Sequence, residues 1–290
     1  MQTRSATDAA AAGHAPAPRK PLIGRLFDAD NPWSVNAGRL GAVLLLFAVW
    51  ELGAGRLFDI FYFSKPSLIV AHFAKEMVDP GFYNDLWVTG LELVLGYTSG
   101  GAAGIALGIL LARWRYVARI CDPFLLAVNS VPRIAVAPML IVWFGIGIAS
   151  KVFLAATLVF FITFFNTLSG IRGVDKALCD VARVQGASEW QIFTKVMLPH
   201  ASAWILTGLK MSLPFGLVGV ILGEFLVSSE GLGFRLNGYA TGYNTTGAIA
   251  MILIMMFLMM ALTAVADRID ARVMRWRPSD REAGGVALKA

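Results

Sequence analysis

The 290 residues are 57% hydrophobic and 15% charged, with a mean hydropathy of +0.65, whereas soluble domains carry about 25% charged residues. That balance argues against a chain dissolved in water. The formal charge of +6 would raise a nucleic-acid partner for a soluble protein, but here the basic residues flank apolar stretches, where they set membrane orientation, and no nucleic acid is expected.

Residues 1–37 are rich in Ala, Pro and Arg and read as a basic, disordered tail. They show no early apolar run with a small-residue cleavage site, so the tail is expected to stay attached. Apolar segments then recur at Leu40–Leu57, Leu86–Leu111, Phe124–Phe144, Val152–Leu168, Ala201–Val227 and Ala248–Val265. A hydrocarbon core about 30 Å thick needs about 20 apolar residues per helical crossing. Helices satisfy their own backbone in lipid, and the segments lack the alternation of barrel strands. The expected fold class is an all-α polytopic membrane protein of about six transmembrane helices, with a transmembrane domain over 38–277 and a second tail over 278–290. Pro132, Arg133 and Pro138 interrupt the third span.

Of the 25 Lys and Arg, only Arg56, Lys65, Lys75, Lys151 and Arg235 fall on one side, Arg133 and Lys210 fall inside spans, and eighteen fall on the other. The positive-inside rule then makes both termini and the fourth loop cytoplasmic in a multi-pass inner-membrane protein. Gly96, Gly100, Gly104 and Gly108 recur every four residues in the second span, the pattern of a close helix-packing seam. Cys121 and Cys179 form no CxxC pair, and His14, His72 and His200 are scattered and read as solvated. Neither a metal site nor a disulfide is expected.

The fourth loop, residues 170–200, is the longest predicted on the cytoplasmic side. Asp175 can cap a first helix carrying Leu178, Val181, Ala182 and Val184, and Gly186 can end it in a left-handed turn. Ser188 and Gln191 form a capping box for a second short helix. Its Trp190, Phe193 and Met197 make an apolar stripe that Pro199 follows. Such a bent amphipathic pair suits docking into a partner's groove.

This loop resembles the signature of ABC importer permeases, Glu-Ala-Ala, three residues, Gly, nine residues, Ile-x-Leu-Pro. The chain reads Asp180-Val181-Ala182, then Gly186, then Val196-Met197-Leu198-Pro199, with every spacing kept. Asp122-Pro123, Pro132, Pro138, Trp143-Phe144-Gly145-Ile146-Gly147, Glu224 and Gly231-Leu232-Gly233 look like the nitrate, sulfonate and taurine branch. The resemblance implies a type I ABC importer permease fold and a subunit forming the translocation pathway for a small organic anion or related solute. It implies a homodimer in membrane lipid, a separate ABC ATPase that binds the ATP, and an extracytoplasmic substrate-binding protein. Asp180, Ala182, Gly186, Glu189, Trp190, Phe193, Leu198 and Pro199 would then form the ATPase-coupling loop, with Asp180 capping or pairing with a basic residue of the ATPase.

Glu224 and Lys210 lie within the fifth span, where ionised residues cost about 2.5–3.5 kcal/mol on insertion scales. They are candidates for the translocation pathway, the alternative for Glu224 being a side chain that snorkels to water. Glu51 and Glu92 read as interfacial, and Trp50, Trp87, Trp114 and Trp143 as interfacial anchors. No phosphate-binding loop, zinc helix or nucleophile elbow is present. No catalytic residue or cofactor is expected of this chain. The rival reading is a gradient-driven secondary transporter or channel, which should show inverted repeats.

Overall fold

The computed structural model describes residues 32–274, so the tail readings for 1–31 and 275–290 lie outside it. Helical order begins at α1 (Pro32–Gly53), inside the segment read as tail. Apolarity marks where lipid begins, not where a helix does. Residues 32–60 and 61–274 form separate compact units. In the first, α1 ends at Gly53, and Leu57, read as part of the span, belongs to a turn in which Gly55 has φ +87° and donates its N–H to the Phe58 carbonyl at 2.6 Å.

The second unit is helical almost throughout, after a short turn of helix, α2 (Ile60–Phe63), that straddles the boundary. It contains α3 (Pro66–Glu76), α4 (Pro80–Arg113), α5 (Arg115–Asn129), α6 (Arg133–Phe144), α7 (Ile148–Arg172), α8 (Lys176–Val184) and α9 (Glu189–Ile192). A π-turn over Phe193–Met197 leads into α10 (Leu198–Val227), followed by α11 (Leu232–Thr241) and α12 (Thr245–Val273). With α1, the helices α4, α7, α9–α10 and α12 are long and apolar enough to cross a membrane.

Three of these helices form the core, and glycine lets them touch backbone to backbone. A Cβ on Gly96 would lie 2.7 Å from that of Ala155, one on Gly104 2.6 Å from the Phe160 carbonyl, and one on Gly108 2.8 Å from the Thr167 side chain. The seam expected along α4 is therefore its contact with α7. Both sets of numbers rise together, so the two helices run parallel. Along α10 the order reverses: Gly208 meets Asn166, Gly216 meets Val159 and Gly223 meets Lys151. That helix is antiparallel to α7.

Parallel α4 and α7 oblige the chain between them to return through the bundle, so α5 and α6 together make one crossing. They are bent by 92° at Ser130–Pro132, where Pro132 lacks an N–H and biases Val131 away from helical geometry. The third span is thus broken, not the continuous Phe124–Phe144 segment expected, and the crossings number six with α1. Phe82, Leu232, Met251 and Ile254 bury the bundle at one end, and Ile171, Phe193 and Ala201 at the other.

Candidate functional site

At the end where α7 stops, α8 and α9 form a hairpin built from local signals. Asp175 accepts the Ala177 N–H at 2.9 Å to start α8. Gly186, at φ +86°, ends it: the Gly186 N–H reaches the Arg183 carbonyl and the Ala187 N–H the Ala182 carbonyl, a Schellman arrangement that only a left-handed residue closes. Ser188 and Gln191 exchange both bonds of a capping box at the start of α9. Arg183 then ties the two helices, with Nε 2.9 Å from Glu189 and Nη1 2.7 Å from Asp180. The Glu189 carboxylate, followed by Asp180, holds the Arg183 guanidinium above its usual range. Asp180 therefore does not cap; within this chain it pairs with Arg183.

Burial divides the hairpin differently from the expected stripe. Cys179 and Ile192 are buried with Val174 inside the hairpin, while Phe193 is buried against Ile171 and Ala201 of the bundle, so Phe193 anchors the hairpin and is not part of its outer face. Trp190 stacks over Phe193 with ring centroids 6.1 Å apart and remains 62% exposed. With Leu178, Val181 and Val184, exposed by 54, 57 and 90%, it makes an unpartnered apolar face. Ala182 is half-buried, and its carbonyl takes the Ala187 N–H. A cleft of about 570 Å³ opens beside the hairpin, lined by five cations, Arg113, Arg119, Arg172, Lys176 and Arg183, and by three carboxylates, of which Asp122 pairs with Arg172 and Asp180 and Glu189 pair with Arg183.

Leu198 and Pro199 do not turn the chain back into the fifth span. Helix is continuous from Glu189 to Val227, because the π-turn before Pro199 carries the Leu198 N–H to the Phe193 carbonyl and so absorbs the ring where an α-helical bond is impossible.

The opposite end holds a network that sequence reading missed. The first three N–H groups at the start of α11 meet three side chains from elsewhere: Gly231 donates to Asp85 at 2.7 Å, Leu232 to Thr89 at 2.9 Å and Gly233 to Glu224 at 2.7 Å. The Thr89 hydroxyl also donates to Glu224 at 2.7 Å. Glu224 is fully buried and so does not snorkel to water; its carboxylate is placed against a helix N-terminus. Glu92, read as interfacial, is likewise fully buried and ion-paired with Lys151, which donates to Ser228 at 3.0 Å. Lys210 is half-exposed and ion-paired with Asp267 of α12, which offsets its cost in the span.

Beside this network Arg235 gathers three carboxylates, Glu76 at 2.8 Å, Asp79 at 2.7 Å and Asp85. Arg235, then the Gly81 N–H, hold the Asp79 carboxyl below the usual range. Tyr239 donates to Glu76; burial first, then that carboxylate, push its phenol up to about 12. His72 is half-buried, 3.4 Å from Glu76 with its ring edge-on to Tyr239, and is not the solvated side chain expected.

Comparison with known proteins agrees with this arrangement. Residues 104–275 match a family profile described as the binding-protein-dependent transport system inner membrane component. The chain is 30% identical over 236 residues to a protein named as an aliphatic sulfonates transport permease (SsuC) of Bacillus subtilis, covering 81% of this chain and 86% of that one. It is 28% identical to the formylaminopyrimidine transport permease protein ThiX of Halalkalibacterium halodurans, covering 81% and 93%. The riboflavin transport system permease protein RibX of Chloroflexus aurantiacus is 27% identical, over 82% and 89%. A solved structure of the inward-facing MetNI methionine ABC transporter shares the fold, with a TM-score of 0.51 and 21% identity over 72% of this chain and 97% of that one. In such systems ATP hydrolysis belongs to a separate subunit and a binding protein brings the solute. The chain belongs to the binding-protein-dependent transport family and is the membrane-spanning permease subunit of an ABC importer.

Proposed function

We propose that the α8–α9 hairpin is the surface on which the ATPase closes, and that it passes this motion to the six crossings, which carry a small organic anion across the membrane. One observation carries the reading: Leu178, Val181, Val184 and Trp190 are exposed on a hairpin whose base is anchored in the bundle by Phe193. An apolar face held on a rigid mount suits a partner's groove, and the excess of cations over carboxylates in the cleft beside it suits an acidic rim on that partner.

In this reading the hairpin end and both termini are cytoplasmic, following the distribution of Lys and Arg. ATP is bound by the partner alone, and Asp180 and Glu189 shape the hairpin through Arg183. The permease works as a homodimer in lipid, with the binding protein approaching the end that carries α3 and α11. A small organic anion is favoured because sulfonates are named for one of the more similar relatives.

Val184→Asp tests the docking surface, since a side chain 90% exposed leaves folding intact when changed. The variant should insert normally and retain less than a tenth of the ATPase that copurifies with the wild type. Undiminished copurification would sink the assignment.

A further inference from the structure

Arg133 is a cation in the third crossing for which the coupling surface has no use. It is the first residue of α6, at the 92° break. Its guanidinium lies 4.7 Å from the centroid of the Phe161 ring and donates to the Asn129 side chain at 2.6 Å across the break. Phe161 stands thirteen residues after the start of α7 and eleven before its end, so the charge sits about 17–20 Å from either end of that helix. That is the middle of a helix long and apolar enough to cross a membrane.

Three other charges within the spans are answered. Glu92 has Lys151, Lys210 has Asp267, and Glu224 has Thr89 and the Gly233 N–H. Among the described residues no carboxylate pairs with Arg133. Its partners are a neutral amide and a ring, and its side chain stays partly exposed. Asn129 occupies one of the five N–H donors of a guanidinium that cannot lose its proton. An intramembrane ion facing no counter-charge marks a transport path, and a break between two half-helices is where membrane transporters open their backbone to a solute.

We propose that Arg133 is the counter-charge for the solute inside the membrane, so that the permease itself, and not only the binding protein, selects for negative charge. An oxyanion that presents two oxygens side by side, such as a sulfonate, carboxylate or nitrate, can take two parallel hydrogen bonds from the free edge of the guanidinium, with Asn129 fixing the other edge. This rests on the importer reading and deepens it by assigning the residue that meets the solute.

The test uses the complete transporter, permease with its ATPase and binding protein, in liposomes, with labelled ethanesulfonate, nitrate and riboflavin as probes. The wild type should take up at least one of the two anions in preference to riboflavin. Arg133→Gln should lower that uptake at least tenfold, while binding-protein-stimulated ATP hydrolysis stays within twofold of wild type. Arg133→Lys, which keeps the charge but not the fork, should recover part of the uptake. Anion uptake by Arg133→Gln at the wild-type rate overturns the proposal. So does a wild type that hydrolyses ATP normally yet imports riboflavin alone or none of the probes, or equal loss of uptake and hydrolysis in both variants. A wild type without stimulated hydrolysis overturns the coupling reading and this inference with it.

Discussion

Glu224 on α10 accepts the N–H of Gly233 at 2.7 Å while fully buried, so one carboxylate joins a membrane crossing to the helix that follows it. The second oxygen takes the Thr89 hydroxyl of α4 at 2.7 Å. Both oxygens must therefore accept. Glu224→Gln replaces one acceptor by a donor aimed at another donor, and an unmet buried donor costs about 1–3 kcal/mol. The purified permease should melt several degrees lower, at about 2–4 °C per kcal/mol, when followed by tryptophan fluorescence. An unchanged melting temperature would show that the carboxylate is not needed there.

Gly104 should tolerate no side chain. A Cβ there would lie 2.6 Å from the Phe160 carbonyl oxygen, which is backbone and cannot move aside, whereas one at Gly90 of the same helix meets nothing within 4 Å. Gly104→Ala should destabilise by about 1–3 kcal/mol, and Gly90→Ala should be neutral or slightly stabilising. Equal melting temperatures for the two variants would refute the seam.

Gly186 has open space around it, so its constraint is the backbone angle of +86° alone. Gly186→Val should therefore distort the hairpin corner, while Gly186→Asn, which tolerates left-handed geometry, should come close to wild type. With both variants inserted normally, Val should leave ATP hydrolysis by the assembled transporter running but cut solute uptake per ATP severalfold. Full coupling in the Val variant would separate the corner from the transport cycle.

Arg235 pairs with Glu76, Asp79 and Asp85 at once. Asp79 sits below its usual range because of Arg235, so in the wild type its contribution is present above the unfolded carboxylate pKa and is lost as pH falls through the lower folded value. Arg235→Met removes that stabilisation, so the variant should melt lower than the wild type at pH 7, and the gap should narrow as acidification passes below the usual carboxylate range. Melting curves at pH 7 and pH 3 check the narrowing, and parallel curves would dismiss it.

The hairpin was legible because its determinants are local. Asp175, Gly186, Ser188 and Gln191 each act within five residues, so their types and spacing predict caps and corner directly. Periodicity also predicted an apolar stripe through Trp190 and Phe193, but it cannot tell whether a face meets the bundle or a partner, and Phe193 proved to be an anchor. The far-end network was illegible for the opposite reason. Thr89 and Glu224 are 135 residues apart, and Gly231 and Asp85 146. Only the fold brings them together. The one sequence hint was the cost of a carboxylate in an apolar span, which required some partner without naming it. Glu92 and Lys151 looked like boundary charges for the same reason, and their pairing depends on the parallel contact of α4 with α7.

The unbroken helix from Glu189 to Val227 has a mechanical implication. It is one strut running from the Arg183 clasp at one face of the membrane to the Glu224 grip at the other. Its hydrogen-bond ladder is interrupted at the π-turn over Phe193–Met197 and at Pro214, so bending is concentrated at those two points. A tilt imposed at the hairpin would reach α11 only so far as those two points resist bending, and stiffening either weak point would lengthen its reach.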